Sequence, residues 1–227
     1  METIRLFVGL DKRETVAFHV FTHSVLSRTK AQVSITPVSG DQRDASNSFV
    51  YQRFLVPWMC GYSGWAIFAD GDMLCRADIK ELWDLRELNT DVLVVKHEYS
   101  TRHPVKYLGQ SNDNYPRKNW SSLMLINCGN YPWRKINPEY VKNASGKHLH
   151  RFEFLKDERI GDLPAEWNHL VGEQDPIDAK IAHFTVGTPC WSQYKDWPFA
   201  QEWLKERESM TYFEPWNLDQ TPKHSER

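Results

Sequence analysis

Two acidic residues at the end of an apolar segment are the strongest candidates for chemistry in this chain. The segment Trp65-Ala66-Ile67-Phe68-Ala69 is bounded by glycines and predicts a buried strand, and Asp70-Gly71-Asp72 follows it. An unpaired carboxylate is costly to bury, so two of them favour a divalent cation, Mn²⁺ or Mg²⁺, which prefers hard oxygen ligands. A metal held there would grip a diphosphate. The alternative is an exposed turn, since Asp and Gly are common in turns.

A histidine in a second apolar segment is a candidate third ligand. His183 lies between Ala182 and Phe184, a few residues before Gly187 and Pro189. A neutral imidazole is a good ligand for Mn²⁺ beside two carboxylates. Glycine allows a ligand to approach the backbone closely, and proline fixes a turn. The alternative is a hydrogen-bonded histidine of the core.

Alternating strands and helices would position these residues. Apolar patterns predict strands at residues 4–10, 33–38, 65–69, 91–96, 122–128 and 179–184, and helices at residues 13–27, 49–60, 78–85 and 198–208. Pro57 is expected to interrupt the second helix, and Asp78 to cap the third. This order predicts an α/β sheet with helices on both faces, whose ligands bind beyond the carboxyl ends of the strands. Asp70, Asp72 and Asn127 lie at such ends.

Two polar stretches and the C-terminal tail are expected to be irregular. Residues 41–48 predict a loop, and residues 97–119 are long enough for a functional or disordered loop. The tail over residues 215–227 is expected to be loose. Without repeats or linkers, residues 1–227 predict a single domain.

Net charge, apolar segments and cysteine spacing limit the partners and the location that we expect for the protein. The 227 residues carry a net charge of −2, which gives no long-range attraction for nucleic acid or an anionic membrane. No segment approaches the ~18–20 apolar residues of a transmembrane helix, and an immediate first strand leaves no room for a signal peptide. None of the four cysteines forms a Cys-x-x-Cys pair, so we interpret them as buried, reduced thiols of a cytoplasmic protein.

Three motifs in sequence order resemble glycosyltransferases of the family-eight type, which have the GT-A fold. They are Asp70-Gly71-Asp72, Leu163-Pro164-Ala165-Glu166-Trp167-Asn168 and His183-Phe184-x-x-Gly187. The resemblance covers roughly residues 4–191. It implies one GT-A-like domain with a mixed, mostly parallel sheet. It also implies a hexosyltransferase-like enzyme that takes a sugar from a nucleotide-sugar, commonly UDP-linked, and retains the anomeric configuration.

The resemblance also implies roles for individual residues. Asp70, Asp72 and His183 would bind Mn²⁺ or Mg²⁺, and Asp70 would also face the ribose of the donor. The remaining donor-binding positions would be Leu10 and Asp11 at the base, Arg53 near the nucleotide or sugar, Asn127 and Asn168 at the sugar pocket, and Gly71 and Gly187 within the motifs. The acceptor, whether a lipid-linked glycan, a protein or a small molecule, stays open, as does the oligomeric state.

Retention needs either a carboxylate nucleophile or attack on the face of the leaving group. Asp157 and Glu158 are the candidate flanking acids, and the alternative is that they are solvated loop charges.

The chain departs from the family at the residue that usually contacts the diphosphate. The family's Lys-Pro-Trp is replaced by Pro189-Cys190-Trp191, without the lysine. Lys106, Arg117 or Lys118 from the 97–119 loop would be substitutes. The missing lysine favours a second hypothesis, a non-catalytic nucleotide- or sugar-binding module. A third, a sugar nucleotidyltransferase, would need a glycine-rich loop after the first strand, where the chain has one glycine.

Overall fold

A computed structural model describes residues 2–40 and 47–210 of the chain. Its strands are β1 (Ile4–Gly9), β2 (Val33–Val38), β3 (Trp65–Ala69), β4 (Met73–Cys75), β5 (Val92–Val94), β6 (Leu123–Asn127), β7 (Ile160–Asp162), β8 (His169–Leu170) and β9 (Ile181–His183). They form a six-stranded sheet in the order β2-β1-β3-β6-β5-β7 and a small sheet in the order β4-β9-β8. Most of the predicted loop over residues 41–48, and the predicted tail, lie outside the described residues.

The large sheet is mixed because β6 runs against its neighbours. Strand β6 is antiparallel to both β3 and β5, whereas the other pairs are parallel. The predicted α/β fold with a mixed, mostly parallel sheet is therefore confirmed. Asn127 pairs with Trp65 at the start of β3, while Leu123 pairs with Ala69. The expectation that Asn127 lies beside Asp70 is wrong, because the carboxyl end of an antiparallel strand lies at the opposite edge.

Helices cover both faces of the large sheet. They are α1 (Thr15–Leu26), α2 (Val56–Met59), α3 (Ile79–Trp83), α4 (Pro138–Asn143), α5 (Gly146–His150) and α6 (Ala200–Met210). Alternate residues of β1 point to opposite sides: Leu6 packs with α1 and α3, and Phe7 packs on the side of α2, α4 and α5. Helix α6 packs against α1 through Trp203. Among the described residues, no helix has the length and apolar character needed to cross a bilayer.

Local signals explain where several elements begin and end. Asp78 caps α3 as predicted, because its carboxylate accepts a hydrogen bond from the amide of Lys80. Pro57 does not interrupt a helix over residues 49–60. It lies in the first turn of α2, after a separate 3₁₀ segment, and proline is tolerated there because its missing N–H has no helical partner.

The four cysteines are free, but their burial differs from the expectation. Cys75 and Cys128 are buried, Cys60 is partly exposed and Cys190 is exposed. The prediction of buried thiols is thus wrong for Cys190, which lies in an irregular segment that leaves its thiol at the surface.

The small sheet is attached to α1 by a buried serine. Ser24 Oγ accepts from the amide of Cys75 in β4 at 2.9 Å and donates to the carbonyl of Phe21. We expect Ser24→Ala to lower the free energy of unfolding by about 1–3 kcal/mol, because the buried amide loses its acceptor. Urea denaturation measures this change. The control Thr3→Ala alters an exposed hydroxyl, and an equal loss in both variants would contradict the assignment.

Candidate metal site

The turn after β3 brings two carboxylates to the edge of the sheet. The amide of Asp70 donates to the carbonyl of Ser122 at 2.9 Å, which fixes the start of the turn. Gly71 then passes so close to β1 that a Cβ atom would collide with the carbonyl oxygen of Gly9. Only glycine fits this backbone path, so Gly71 is required for the position of Asp72.

Strand pairing brings His183 to the same place. Met73 pairs with His183 in the small sheet, and the amide of Phe184 donates to the carbonyl of Asp72. Nε2 of His183 lies 3.3 Å from Oδ1 of Asp72 and 4.0 Å from Oδ2 of Asp70. The three side chains offer ligand atoms that all lie within 4.8 Å of one another. Cis ligands of an octahedral ion with bonds of about 2.1 Å lie about 3 Å apart, so this spacing fits Mg²⁺ or Mn²⁺ with small adjustments.

Asn168 orients the histidine. Its Oδ1 lies 3.0 Å from Nδ1 of His183, while its Nδ2 donates to Oγ of Ser122. This network places a hydrogen on Nδ1 of His183 and turns Nε2 toward the carboxylates. Asn168 is fully buried behind His183. The expectation that it borders the sugar pocket is therefore wrong, because its turn (Ala165–Asn168) packs beneath β9.

Burial and neighbouring charges act in opposite directions on the two aspartates. Burial raises the pKa of Asp70 to about 6, opposed by Arg53, whose Nη1 lies 3.0 Å from Oδ1 of Asp70. Burial is also the strongest influence on Asp72, but His183, Lys106 and a backbone hydrogen bond together outweigh it, so the pKa of Asp72 is lowered. Oδ1 of each aspartate is buried without a well-aligned hydrogen bond, although Arg53 and His183 lie within ion-pair distance. Buried oxygens of this kind beside an imidazole lone pair are suitable ligands for a divalent cation.

The cluster separates two depressions. A narrow one is lined by Asp11, Glu14 and Gly71, and a larger cleft of about 610 Å³, partly open to solvent, is lined by Arg53 and Asp70. The two share three lining residues: Asn47, Asp72 and Tyr107. An elongated ligand could therefore cross the cluster from one depression to the other.

Lys106 is the cation of the 97–119 segment that reaches the larger cleft. Its Nζ donates to Oγ1 of Thr185 at 3.1 Å, and burial lowers its pKa although Asp72 and Asp70 oppose this. Arg117 instead binds Asp157, and Lys118 binds Asn112. Of the three substitutes considered for the missing lysine, Lys106 has the position to contact a phosphate group at the cluster.

The loop after β1 holds Leu10 and Asp11, which the resemblance assigns to the nucleotide base. Asp11 lines the narrow depression, and its carboxylate binds Arg13 through both oxygens. Leu10 is partly buried against the core, and its carbonyl accepts from Ser48.

Gly187 serves packing rather than ligand approach. An added Cβ would collide with the ring of Tyr194, so the space beside Gly187 is filled by protein. The expectation that its lack of a side chain admits a ligand is wrong.

Asp157 and Glu158 do not reach the cleft. Both are exposed in the turn Asp157–Arg159, and neither lines either depression. The turn precedes β7, which runs parallel to β5, so it lies at the edge of the sheet opposite Asp70. The prediction that Asp157 and Glu158 flank the reacting centre is therefore wrong.

Two residues of the larger cleft had no signal in the sequence. Ser121 and His150 line it beside Arg53 and Asp70. Their spacing matches no motif, and only the packing of α5 against the segment before β6 brings them together.

Three solved structures with a similar architecture are glycosyltransferases. The galactosyltransferase LgtC, solved with donor and acceptor sugar analogues, has a TM-score of 0.64 at 12% identity over 93% of this chain and 98% of that chain. Apo GlyE of Streptococcus pneumoniae has a TM-score of 0.64 at 12% identity, over 91% of this chain and 60% of that chain. Mouse xyloside xylosyltransferase 1 has a TM-score of 0.55 at 13% identity, over 83% of this chain and 100% of that chain. At such low identities the likeness defines the fold alone, which is a GT-A-like glycosyltransferase fold.

Sequence similarity defines the family. Protein CDI of Arabidopsis thaliana is 41% identical over 222 residues, which cover 90% of this chain and 86% of that protein. The chain therefore belongs to the family of Protein CDI. No established family model matches the chain.

Substitution of Asn168, whose side-chain amide binds His183, tests the candidate metal site. We expect Asn168→Ala to weaken Mn²⁺ binding about 10- to 100-fold, because the imidazole loses the acceptor that fixes its orientation. Titration of Mn²⁺ by electron paramagnetic resonance measures the free ion directly. Asn143→Ala is the control, since Asn143 is exposed on α4. Equal affinity in the two variants would show that Asn168 has no part in metal binding.

Proposed function

We propose that this chain is a metal-dependent glycosyltransferase that uses a nucleotide-sugar, with UDP as the nucleotide. The convergence of Asp70, Asp72 and His183 carries the proposal, because these residues come from separate segments and meet in one buried cluster. The GT-A-like fold of the chain is shared with the glycosyltransferases described above. Membership in family eight remains a prediction from the motifs.

The cluster would hold Mn²⁺ or Mg²⁺ through Asp70, Asp72 and His183. A bound cation supplies a Lewis acid that stabilises negative charge on the departing diphosphate. Arg53 keeps the buried Asp70 ionised by compensating its charge. Asn168 keeps Nε2 of His183 directed at the cluster.

Lys106 supplies the cation that the 187–191 segment lacks. Lys106 lines the same cleft as Asp70 and Asp72, where a diphosphate held at the cluster would meet its ammonium group. This position removes the main reason for the hypothesis of a non-catalytic module. The direct test is hydrolysis of a panel of nucleotide-sugars with and without Mn²⁺, and nucleotide binding without turnover of any donor would favour the module.

The two depressions suggest how the donor lies. The nucleoside would enter the narrow depression at Leu10 and Asp11, and the sugar would enter the larger cleft beyond Asp70. Because Asp157 and Glu158 lie at the other edge, we propose retention by attack of the acceptor hydroxyl on the face of the leaving diphosphate. The acceptor would be a glycan, a lipid-linked sugar or a small molecule.

Two broader expectations stay predictions. One is that residues 1–227 form a single domain, and the other is that the protein is cytoplasmic. Cell fractionation of the intact protein tests the second.

Removal of one carboxylate tests the metal dependence. We expect Asp72→Ala to lower the affinity for UDP in the presence of Mn²⁺ at least about tenfold, because one of three protein ligands is lost. Isothermal titration calorimetry measures the affinity, and circular dichroism checks the fold. The control is Asp84→Ala, which removes an exposed carboxylate at the C-terminal end of α3. Unchanged UDP affinity in Asp72→Ala would count decisively against the site.

Removal of the ammonium group tests the diphosphate contact. We expect Lys106→Met to weaken UDP binding by about 10- to 100-fold, as for a lost charged hydrogen bond, and to leave uridine binding unchanged. Competition against a fluorescent nucleotide gives both constants. Lys147→Met, on the exposed side of α5, is the matched control. If uridine weakens as much as UDP, Lys106 has a structural role instead.

A further inference from the structure

A buried serine and a half-buried histidine form a hydrogen-bonded pair in the larger cleft. Oγ of Ser121 lies 2.7 Å from Nδ1 of His150. Ser121 is 2% exposed, and its carbonyl accepts a hydrogen bond from Nη1 of Arg53 at 2.9 Å. The ring of His150 packs edge-on against Phe54, with centroids 5.2 Å apart. Both side chains are therefore held in fixed orientations.

The position of this pair points to the sugar end of a donor. The pair lines the larger cleft together with Arg53 and Asp70. The narrow depression at Asp11 adjoins that cleft at Asp72, which belongs to the metal cluster. A nucleotide-sugar whose diphosphate lies at the cluster must extend in both directions. With the nucleoside at Asp11, its sugar meets Ser121 and His150.

The pair has the hydrogen-bonding character of a hydroxyl receptor. Burial, with the nearby charge of Arg53, lowers the pKa of His150 to about 3, so the imidazole is neutral at physiological pH. In one tautomer Ser121 donates to Nδ1 and His150 offers an N–H at Nε2. In the other, Nδ1 donates to Ser121, whose hydroxyl can then donate outward while Nε2 accepts. A sugar hydroxyl both donates and accepts, so it suits either arrangement.

We propose that Ser121 and His150 bind a hydroxyl group of the donor sugar and that this sugar is neutral. The inference rests on the proposed function and deepens it. Among the described residues, two cations line the cleft, Arg53 and Lys106. Arg53 is 3% exposed and is bound through Nη1 to Asp70 and the carbonyl of Ser121. Lys106 lies at the metal cluster. Asp70 already compensates the charge of Arg53, and a diphosphate at the cluster would compensate that of Lys106. A uronic acid would therefore bring its carboxylate to cations that are already paired, whereas a neutral hexose or pentose meets the uncharged pair Ser121 and His150.

The test compares UDP with UDP-sugars on the same protein. Calorimetry with Mn²⁺ gives the affinities of wild type and variants for UDP and for UDP-glucose, UDP-galactose, UDP-xylose and UDP-glucuronic acid. We expect Ser121→Ala and His150→Phe to weaken binding of the preferred neutral donor by about tenfold and to change UDP affinity less than about twofold. The double variant should lose no more than the larger single loss, because the pair acts as a unit.

A matched control is available on the same helix. His148 also lies on α5, but its Nε2 faces the hydroxyl of Tyr140 outside the cleft. His148→Phe should leave every affinity unchanged, and retained UDP binding in His150→Phe shows that its fold and metal cluster are intact. If His150→Phe loses UDP binding as well, the Ser121→Ala variant alone tests the proposal, through its ratio of UDP-sugar affinity to UDP affinity.

The outcomes separate this inference from the proposed function. Suppose that wild type binds UDP with Mn²⁺ but neither variant changes the ratio of UDP-sugar to UDP affinity. Ser121 and His150 then do not bind the donor sugar, and the proposed function stands. If wild type prefers UDP-glucuronic acid, the inference that the donor sugar is neutral is wrong. If wild type binds no UDP in the presence of Mn²⁺, the proposed function fails and the inference fails with it.

Discussion

Compensation of charge around one buried and one half-buried carboxylate is the constraint on which the site depends. Asp70 and Asp72 share one wall of the cleft with Arg53 and Lys106, so two negative groups face two positive ones. A buried charge without a partner is costly, and this balance lets the aspartates stay ionised. A divalent cation would add two positive charges, which match the two negative charges of a nucleotide-sugar diphosphate. Cation and diphosphate together thus fit the cluster better than either one alone.

The direction of one strand decides which residues meet the aspartates. Because β6 is antiparallel to β3, the residues before β6 lie at the edge where β3 ends. Ser122 therefore accepts from the amide of Asp70, and Ser121 accepts from Arg53. In a fully parallel sheet Asn127 would have occupied that place. The reversed direction of β6 thus places Ser121 and Ser122, rather than Asn127, beside Asp70 and Arg53.

The sequence predicts the parts of this site that depend on local patterns. The apolar segment before Asp70 and the apolar segment around His183 both form strands, and their acidic and imidazole groups meet in the predicted cluster. The direction of β6 depends on long-range pairing that apolar patterns do not encode. Strands β4 and β8 are too short for periodicity, and His150 reaches the cleft only through the packing of α5. Tertiary contacts set these features.

The 97–119 segment shows how a loop can replace a motif residue. Glu173, which is 1% exposed, accepts a hydrogen bond from Nδ2 of Asn112 at 2.8 Å. In the middle of the segment, the amide of Tyr107 donates to the carbonyl of Val186. A buried carboxylate is stable only while its donors are in place, so Glu173 favours one shape of the segment. That shape carries Lys106 to the cleft beside Asp70 and Asp72, where under the proposed function it would take the place of the lysine missing from residues 187–191.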